Sequence, residues 1–199
     1  MGCGSCRLPS RAQYPHARLP RHRRQRQARH PYSTELFAQD VIAINAVIDE
    51  LGIDRADVYG TSMGGRVAQQ LAGRHPHRVG ALVLGCTSPG GPHSVERETD
   101  VRQALAQPQP GAARQVLLEL MYAPRWLASH PGPHHTLGNP GMPARARRRH
   151  LTASNRHNAW DLLPDISAPT LVVHGSGDLL NPTASAPCSP AASPTPDCT

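Results

Sequence analysis

One short segment constrains this chain more than any other, and it lies at residues 56–77. A short apolar stretch leads into Gly60-Thr-Ser62-Met-Gly64, and the residues from Met63 to Arg74 are amphipathic. This order predicts a strand, a sharp turn that carries Ser62, and a helix whose N-terminus lies beside the serine. Glycine at positions 60 and 64 is expected because a side chain at either one would crowd the turn. We therefore predict that Ser62 is a nucleophile; the alternative is a serine in an ordinary glycine-rich turn.

Helical and strand patterns alternate over residues 33–183, which predicts a parallel α/β sheet flanked by helices. Residues 33–51 are predicted to be helical, and their inward face is predicted to carry Phe37, Val41, Ile44, Ile48 and Leu51. Apolar runs at 79–85 and 170–174 are typical of strands that are buried on both faces.

The pattern changes between the last two predicted strands, at about residues 88–165. A helix is predicted over 112–127, and its buried stripe is predicted to consist of Val116, Leu117, Leu120 and Met121. Residues 128–150 are rich in Pro, Gly, His and Arg. We interpret the whole stretch as a helical lid inserted into the sheet domain.

A carboxylate follows the third predicted strand, in Thr170-Leu-Val-Val-His-Gly-Ser-Gly-Asp178. Ligands of open α/β sheets bind at the carboxyl edge of the strands. An acid at that edge can orient an imidazole and stabilise its charged form. Asp178 is therefore predicted to be the acid that works with Ser62, and the alternative is an aspartate that only caps a local turn.

Charge divides the chain into a basic arm, a near-neutral core and a tail. All 21 basic residues are arginine; residues 1–32 hold eight of them and no acid, which leaves 13 arginines against 14 acids elsewhere. The arm at 1–32 and the Ser/Pro-rich tail at 184–199 are expected to be disordered. A nucleic-acid-binding arm and a transit peptide are alternatives that the low Ser content and missing apolar periodicity disfavour. No apolar run approaches the roughly 18 residues of a membrane span, so we expect a cytoplasmic protein without a membrane partner.

The chain resembles the α/β-hydrolase superfamily, and within it the lid-bearing bacterial members that include enol-lactonases and cofactor-free perhydrolases. The resemblance rests on Gly60–Gly65, Arg78–Thr87, Ala159–Pro164 and Ile166–Asp178. It implies a partial α/β-hydrolase fold with Ser62 as nucleophile, Asp178 as acid and the backbone N–H of Met63 in the oxyanion hole. The implied substrate is an ester, a lactone or a similar small acyl compound, and no metal or organic cofactor is implied.

Two departures from the family pattern concern groups that the family uses in catalysis. The family's triad histidine follows the acid, but no histidine follows Asp178, and His174 lies inside a predicted strand. Residues 1–32 also lack the early apolar strand whose loop supplies the second oxyanion donor in the family. We expect the chain to be inactive or strongly impaired, so whether it is an enzyme stays open. The alternatives are a non-catalytic small-molecule binding protein on the same fold and, less favoured, a nucleic-acid binder that uses the arm.

Both ends are expected to be truncated or out of frame. Codons for residues 20–29, read one base later, can encode Arg-Gly-Thr-Gly-Gly-Ser-Asp-Lys-Pro, a turn that the family often carries before the helix near Ser33. Codons for 186–199, shifted by two bases, can encode a helix that enters a strand. The nucleotide sequence tests this hypothesis, because codons that cannot yield these peptides would refute it.

Overall fold

The computed structural model describes residues 31–95, 97–105, 110–132 and 142–185. The chain divides into two units, Met1–His30 and Pro31–Thr199, and all described residues belong to the second. The predicted disorder of the arm and of the tail concerns residues that lie almost entirely outside this description. In chain order the elements are α1 (Thr34–Glu50), β1 (Ala56–Thr61), α2 (Met63–Arg74), β2 (Val79–Gly85), α3 (Thr99–Leu105), α4 (Pro110–Met121), α5 (Pro124–Ser129), α6 (Ala144–Asn155) and β3 (Thr170–Val173).

The three described strands form one parallel sheet in the order β1-β2-β3. Gly60 pairs with Leu84, and Leu84 pairs with Val172 on its other side. Parallel neighbours require crossover connections, and α2 supplies the one between β1 and β2. Helices α3 to α6 all lie in the long connection between β2 and β3. The predicted α/β architecture with a helical insertion is therefore present.

The core lies between β2 and the two helices α1 and α2. Val79, Leu82 and Leu84 of β2 are at most 1% exposed. Helix α2 contributes small residues and one leucine to the same cluster, and α1 contributes Ala38. Each buried leucine stabilises the fold by about 1.5–3 kcal/mol relative to an exposed one. The amphipathic pattern of α2 predicts that Val67, Ala68 and Leu71 face inward; Ala68 and Leu71 are buried, and Val67 is partly buried against the same cluster.

The predicted inward face of α1 is wrong in part. Leu51 is 71% exposed and Val41 is 37% exposed, whereas Ala38 is 1% exposed. Ala38 belongs to the core cluster together with the alanines of α2, and Ile42 packs against that cluster. Leu51 lies beyond the last helical residue, Glu50, so the helical period no longer fixes its direction.

The third strand is an edge strand in the described sheet and not a buried one as predicted. Leu171 and Val173 are 59% and 52% exposed, since β3 pairs only with β2 among the described strands. Tyr59 of β1, at the opposite edge, is 71% exposed. An apolar run predicts a strand, but it does not tell how many neighbours cover that strand.

The single helix predicted over 112–127 is two helices, α4 and α5. Helix α4 ends at Met121, and α5 begins with Pro124 at its first position. Proline lacks the N–H that would continue the helical ladder, so it starts a new helix here. The predicted stripe is wrong in part: Met121 is 42% exposed, Val116, Leu117 and Leu120 are half-buried, and Leu118 is the most buried of the side chains described in α4.

Candidate active site

Ser62 lies in the turn between β1 and α2, in an unusual backbone conformation. Its φ is 50° and its ψ is −118°, although it is not a glycine. Ser62 occupies the N-cap position of α2, where serine normally binds a helix N–H, yet its hydroxyl makes no capping hydrogen bond. A residue held in such a region costs about 1–3 kcal/mol, and strain of this kind clusters at functional sites. Ser62 is an exposed residue, and its hydroxyl is not used to cap the helix.

Contacts with neighbouring elements hold this turn in place. The backbone N–H of Ser62 donates to the carbonyl oxygen of Gly85 over 2.9 Å, and the Thr87 hydroxyl donates to the carbonyl oxygen of Ser62 over 2.8 Å. A Cβ atom on Gly60 would lie 2.6 Å from the carbonyl oxygen of Gly64. A Cβ atom on Gly65 would lie 2.7 Å from the Thr87 side chain. The atoms around the turn therefore leave no room for a side chain at Gly60 or at Gly65.

The expectation that Gly64 is also required is wrong. A Cβ atom at this position would meet nothing within 4 Å, because Gly64 faces open space on the first turn of α2. The close approach occurs instead at Gly60, where the strand backbone passes over the start of the helix.

Asp178 follows β3 and has two sets of partners. Its Oδ1 accepts hydrogen bonds from the backbone N–H groups of Leu180 and Asn181, at 2.8 and 2.9 Å. Its Oδ2 lies 3.5 Å from Nε2 of His174. The carboxylate thus caps its own turn, which was the structural alternative, and it also faces an imidazole. Both side chains are well buried, with His174 5% and Asp178 13% exposed.

Ser62 and Asp178 both lie at the carboxyl edge of the sheet, with β2 between their strands. Neighbouring strands lie about 4.8 Å apart, so the ends of β1 and β3 are roughly 10 Å apart. Asn181 links the two ends: its Nδ2 donates to the carbonyl oxygen of Cys86, and its Oδ1 accepts from Arg66 of α2. The loop that carries the acid is therefore tied to the helix that begins next to the serine.

The structure brings a histidine to Asp178 but not to Ser62. Among the histidines whose side chains are described, none forms a hydrogen bond with the Ser62 hydroxyl. Nε2 of His174 lies 2.6 Å from the carbonyl oxygen of Asn181. His134 and His135 of the predicted lid lie outside the described residues. The sequence did not predict the contact between His174 and Asp178, which forms because the backbone N–H of Asp178 donates to the carbonyl oxygen of Gly175 and closes a tight turn between the two residues.

His157 is a buried histidine whose part in the structure the sequence did not reveal. It is 3% exposed, and its Nδ1 lies 2.9 Å from the Thr34 hydroxyl. Its Nε2 lies 3.4 Å from Oε1 of Gln69. Burial, and next the positive charge of Arg66, lower the pKa of His157 to about 3. The ring is therefore neutral at physiological pH and joins the helical insertion to α1 and α2.

A cavity of about 410 Å³ lies against the same network. It is lined by Arg66, Ser88, Gly90, Gly91, Ser94, Val95, Arg97, Arg102, Leu105, Ser154, Asn155, His157, Leu180, Asn181 and Pro182. Ser62 is not among these residues. Sequence reasoning missed the cavity because four separate segments of the chain contribute to it. Within the described ranges, no group of three or more His, Cys, Asp or Glu side chains could hold a metal ion.

The comparisons with known proteins identify the family. The model of the α/β hydrolase fold family matches residues 15–197, so the chain belongs to this family. A 2-hydroxy-6-oxononadienedioate/2-hydroxy-6-oxononatrienedioate hydrolase from a Pseudomonas species is 32% identical over 154 residues, which are 70% of this chain and 52% of that protein. A 2-hydroxy-6-oxo-6-phenylhexa-2,4-dienoate hydrolase from Comamonas testosteroni is 29% identical, with the same coverage. The chain thus spans about half the length of these curated relatives.

Solved structures agree with this assignment. Est816, described as an N-acyl homoserine lactone degrading enzyme, superposes with a TM-score of 0.59 at 29% identity, covering 82% of this chain and 64% of that one. The enol-lactonase from Burkholderia xenovorans LB400 superposes with a TM-score of 0.51 at 24% identity, covering 75% and 57%, and shows the shared fold. Among the described helices, none combines the length and the apolar character needed to cross a bilayer.

Proposed function

We propose that the turn at Ser62 is the nucleophile site of a serine hydrolase that acts on an ester, a lactone or a related acyl substrate. The observation that carries the proposal is the strained backbone of Ser62, an exposed residue whose hydroxyl is not used as a helix cap. Ordinary serines at this position would relieve the strain and cap the helix. The family assignment supports the proposal, since relatives and structural neighbours include hydrolases and lactone-degrading enzymes.

The proposed reaction is acyl transfer to the serine. Oγ of Ser62 attacks the substrate carbonyl carbon, its proton passes to an imidazole, and the leaving group departs as the acyl-serine forms. In this proposal the backbone N–H of Met63, the first residue of α2, stabilises the oxyanion, aided by the partial positive charge of the helix N-terminus. Water then hydrolyses the acyl-serine. Asp178 orients the imidazole and stabilises its charged form.

The imidazole is the component that the described residues do not supply. His174 contacts Asp178, but its Nε2 faces the carbonyl oxygen of Asn181 and makes no contact with Ser62. An unactivated serine hydroxyl is a weak nucleophile at neutral pH. We therefore propose that this chain hydrolyses acyl esters close to the background rate. A binding protein on the same fold remains the alternative, and the cavity beside the site favours it over a nucleic-acid binder.

Imidazole added in solution tests this proposal, because it can take the place of the missing base. Hydrolysis of p-nitrophenyl acetate is measured with and without imidazole for the wild-type chain and for Ser62→Ala. Imidazole itself attacks the ester, so the difference between the two proteins is the relevant quantity. We expect a rate that rises with imidazole in the wild type beyond the rise in Ser62→Ala.

Ser129→Ala is the matched control, since Ser129 is exposed on α5 and bonds only to neighbouring residues of its own helix end. This variant is expected to behave as the wild type. Equal rates for the wild type and Ser62→Ala at every imidazole concentration would contradict Ser62 as the nucleophile. High wild-type activity without imidazole, lost in Ser62→Ala, would show that a residue of the chain already acts as the base.

A further inference from the structure

The residues described around the cavity beside the candidate active site include three arginines. The cavity's volume of about 410 Å³ lies within the range of small-molecule sites, which is about 300–1,000 Å³. Arg66, Arg97 and Arg102 line it, and none of the lining residues that the structure describes is Asp or Glu. The lining is otherwise made of serine, glycine, asparagine, histidine and a few apolar residues. Such a cavity is suited to an anion.

The buried cation of Arg66 has only neutral partners. Its two terminal nitrogens donate to the carbonyl oxygen and hydroxyl of Ser154, to the hydroxyl of Ser88 and to Oδ1 of Asn181. Arg66 is 8% exposed. Burying a charge without an opposite charge is costly, even when its hydrogen bonds are made. Arg74 of the same helix, by contrast, pairs with Glu35 at 3.3 Å.

Arg97 adds a second guanidinium to the same cavity. Its Nε donates to the carbonyl oxygen of Leu180, and no described residue accepts a hydrogen bond from its two terminal nitrogens. Burial lowers the pKa of Arg97, and the charge of Asp178 partly opposes this shift. Burial, and next the charge of Arg97, lower the pKa of Arg66. The two cations are close enough to destabilise each other, and an anion between them would relieve this repulsion.

Ser94 provides an independent indication of a ligand. Its hydroxyl is buried and has no hydrogen-bond partner among the described residues, and Ser94 lines the same cavity. A buried polar group without a partner costs about 1–3 kcal/mol. Such a group deserves a specific explanation, and a bound acceptor would provide one.

We propose that this cavity binds a small ligand through an oxyanion group, a carboxylate or a phosphate, with Arg97 and Ser94 as donors and Arg66 as the charge behind them. The planar guanidinium presents parallel N–H groups that match two oxygens of either anion. This site does not depend on the role of Ser62, which is not part of the cavity lining.

Calorimetric titration of the whole chain with succinate and, separately, with inorganic phosphate tests this site. Succinamide, which has the shape of succinate without its charge, is the control ligand. We expect at least one of the two anions to bind, and succinamide not to bind. Arg97→Gln is expected to weaken the binding of that anion at least tenfold, because a charge-assisted hydrogen bond is lost. Arg125→Gln, an exposed arginine on α5 outside the cavity, is expected to leave the affinity unchanged.

Ser94→Ala separates a ligand role from a structural one. If the hydroxyl serves the ligand, this variant loses affinity several-fold, while the melting temperature of the free protein stays the same or rises, since an unpartnered polar group is removed. Tighter binding of succinate would assign a carboxylate, and tighter binding of phosphate would assign a phosphate.

Three results would overturn the site: binding of neither anion at millimolar concentration, equal binding of succinamide, or unchanged affinity in Arg97→Gln. The variant Ser62→Ala distinguishes failure of the anion-binding proposal from failure of the hydrolase proposal. Anion binding that persists in Ser62→Ala, without imidazole-dependent hydrolysis in the wild type, would support the cavity and refute the nucleophile. Imidazole-dependent hydrolysis without anion binding would do the reverse.

Discussion

Acidification is predicted to destabilise this protein through a single buried side chain, His157. The ring is 3% exposed and its pKa lies at about 3 in the folded chain, lowered by burial and by Arg66. In the unfolded chain the pKa of histidine is about 6.5. Between about pH 6.5 and pH 3, this histidine is therefore protonated in the unfolded state but not in the folded state. The contribution of the neutral ring to stability is fully present above pH 6.5 and is lost as the pH falls from there towards 3.

The magnitude follows from the size of the pKa shift. Each unit of difference corresponds to about 1.36 kcal/mol, so the free energy of unfolding should fall by roughly 2 kcal/mol between pH 7 and pH 5 from this residue alone. Carboxylates protonate mainly below that interval, which makes it the best window for the measurement. A loss of this size is a large fraction of the 5–15 kcal/mol that typically stabilises a domain.

Urea unfolding at pH 7, 6 and 5 measures this effect, with His157→Gln as the test variant. Glutamine keeps hydrogen-bonding groups towards Thr34 and Gln69 but cannot take a proton in this range. The variant is expected to be less stable at pH 7 and to lose about 2 kcal/mol less than the wild type on going to pH 5. His77→Gln, which changes an exposed histidine, is expected to keep the wild-type pH dependence. Parallel pH curves for the wild type and His157→Gln would refute the reasoning.

Two further predictions concern the turn at Ser62 and the loop after Asp178. Gly60→Ala is expected to lower the free energy of unfolding by at least about 1–3 kcal/mol, because the new Cβ would lie 2.6 Å from a backbone oxygen, whereas Gly64→Ala meets open space and should change it far less. Equal urea midpoints for the two variants would contradict this packing. Asn181→Ala removes the partners of the Cys86 carbonyl and of one Arg66 nitrogen, so thermal or urea unfolding should show a loss of about 1–3 kcal/mol. An unfolding midpoint equal to that of the wild type would show that these hydrogen bonds contribute nothing to the free energy of unfolding.

The local elements that surround the serine could be predicted from the sequence almost residue by residue. The limits of α2 and β2, Met63–Arg74 and Val79–Gly85, are those predicted. Here the turn residues, the helical spacing of the apolar residues and the strand propensity all predict the same secondary structure. The amphipathic pattern of α2 also identified Ala68 and Leu71 as buried, because both neighbours of this helix lie within the described core.

Features that depend on distant partners could not be predicted in this way. Whether Leu171 is buried depends on how many strands flank β3, and an apolar run does not contain that information. The neutral state of His157 follows from its burial beside Arg66, a residue 91 positions earlier in the chain. The cavity arises from loops that meet only in three dimensions. Asp178 was identified by its place after a strand, whereas its contact with His174 became evident only from the turn between them.

The most direct test of the central claim is to locate the acyl group itself. The chain is incubated with p-nitrophenyl acetate and imidazole, the reaction is quenched in acid, and peptide mass spectrometry locates any acetyl ester. We expect acetylation at Ser62 in the wild type and its absence in Ser62→Ala; each acetyl transfer to Ser62 releases one p-nitrophenolate, in addition to the amount that imidazole releases by attacking the ester itself. An acetyl ester on another serine, or equal labelling of the two proteins, would contradict the assignment of Ser62 as the nucleophile.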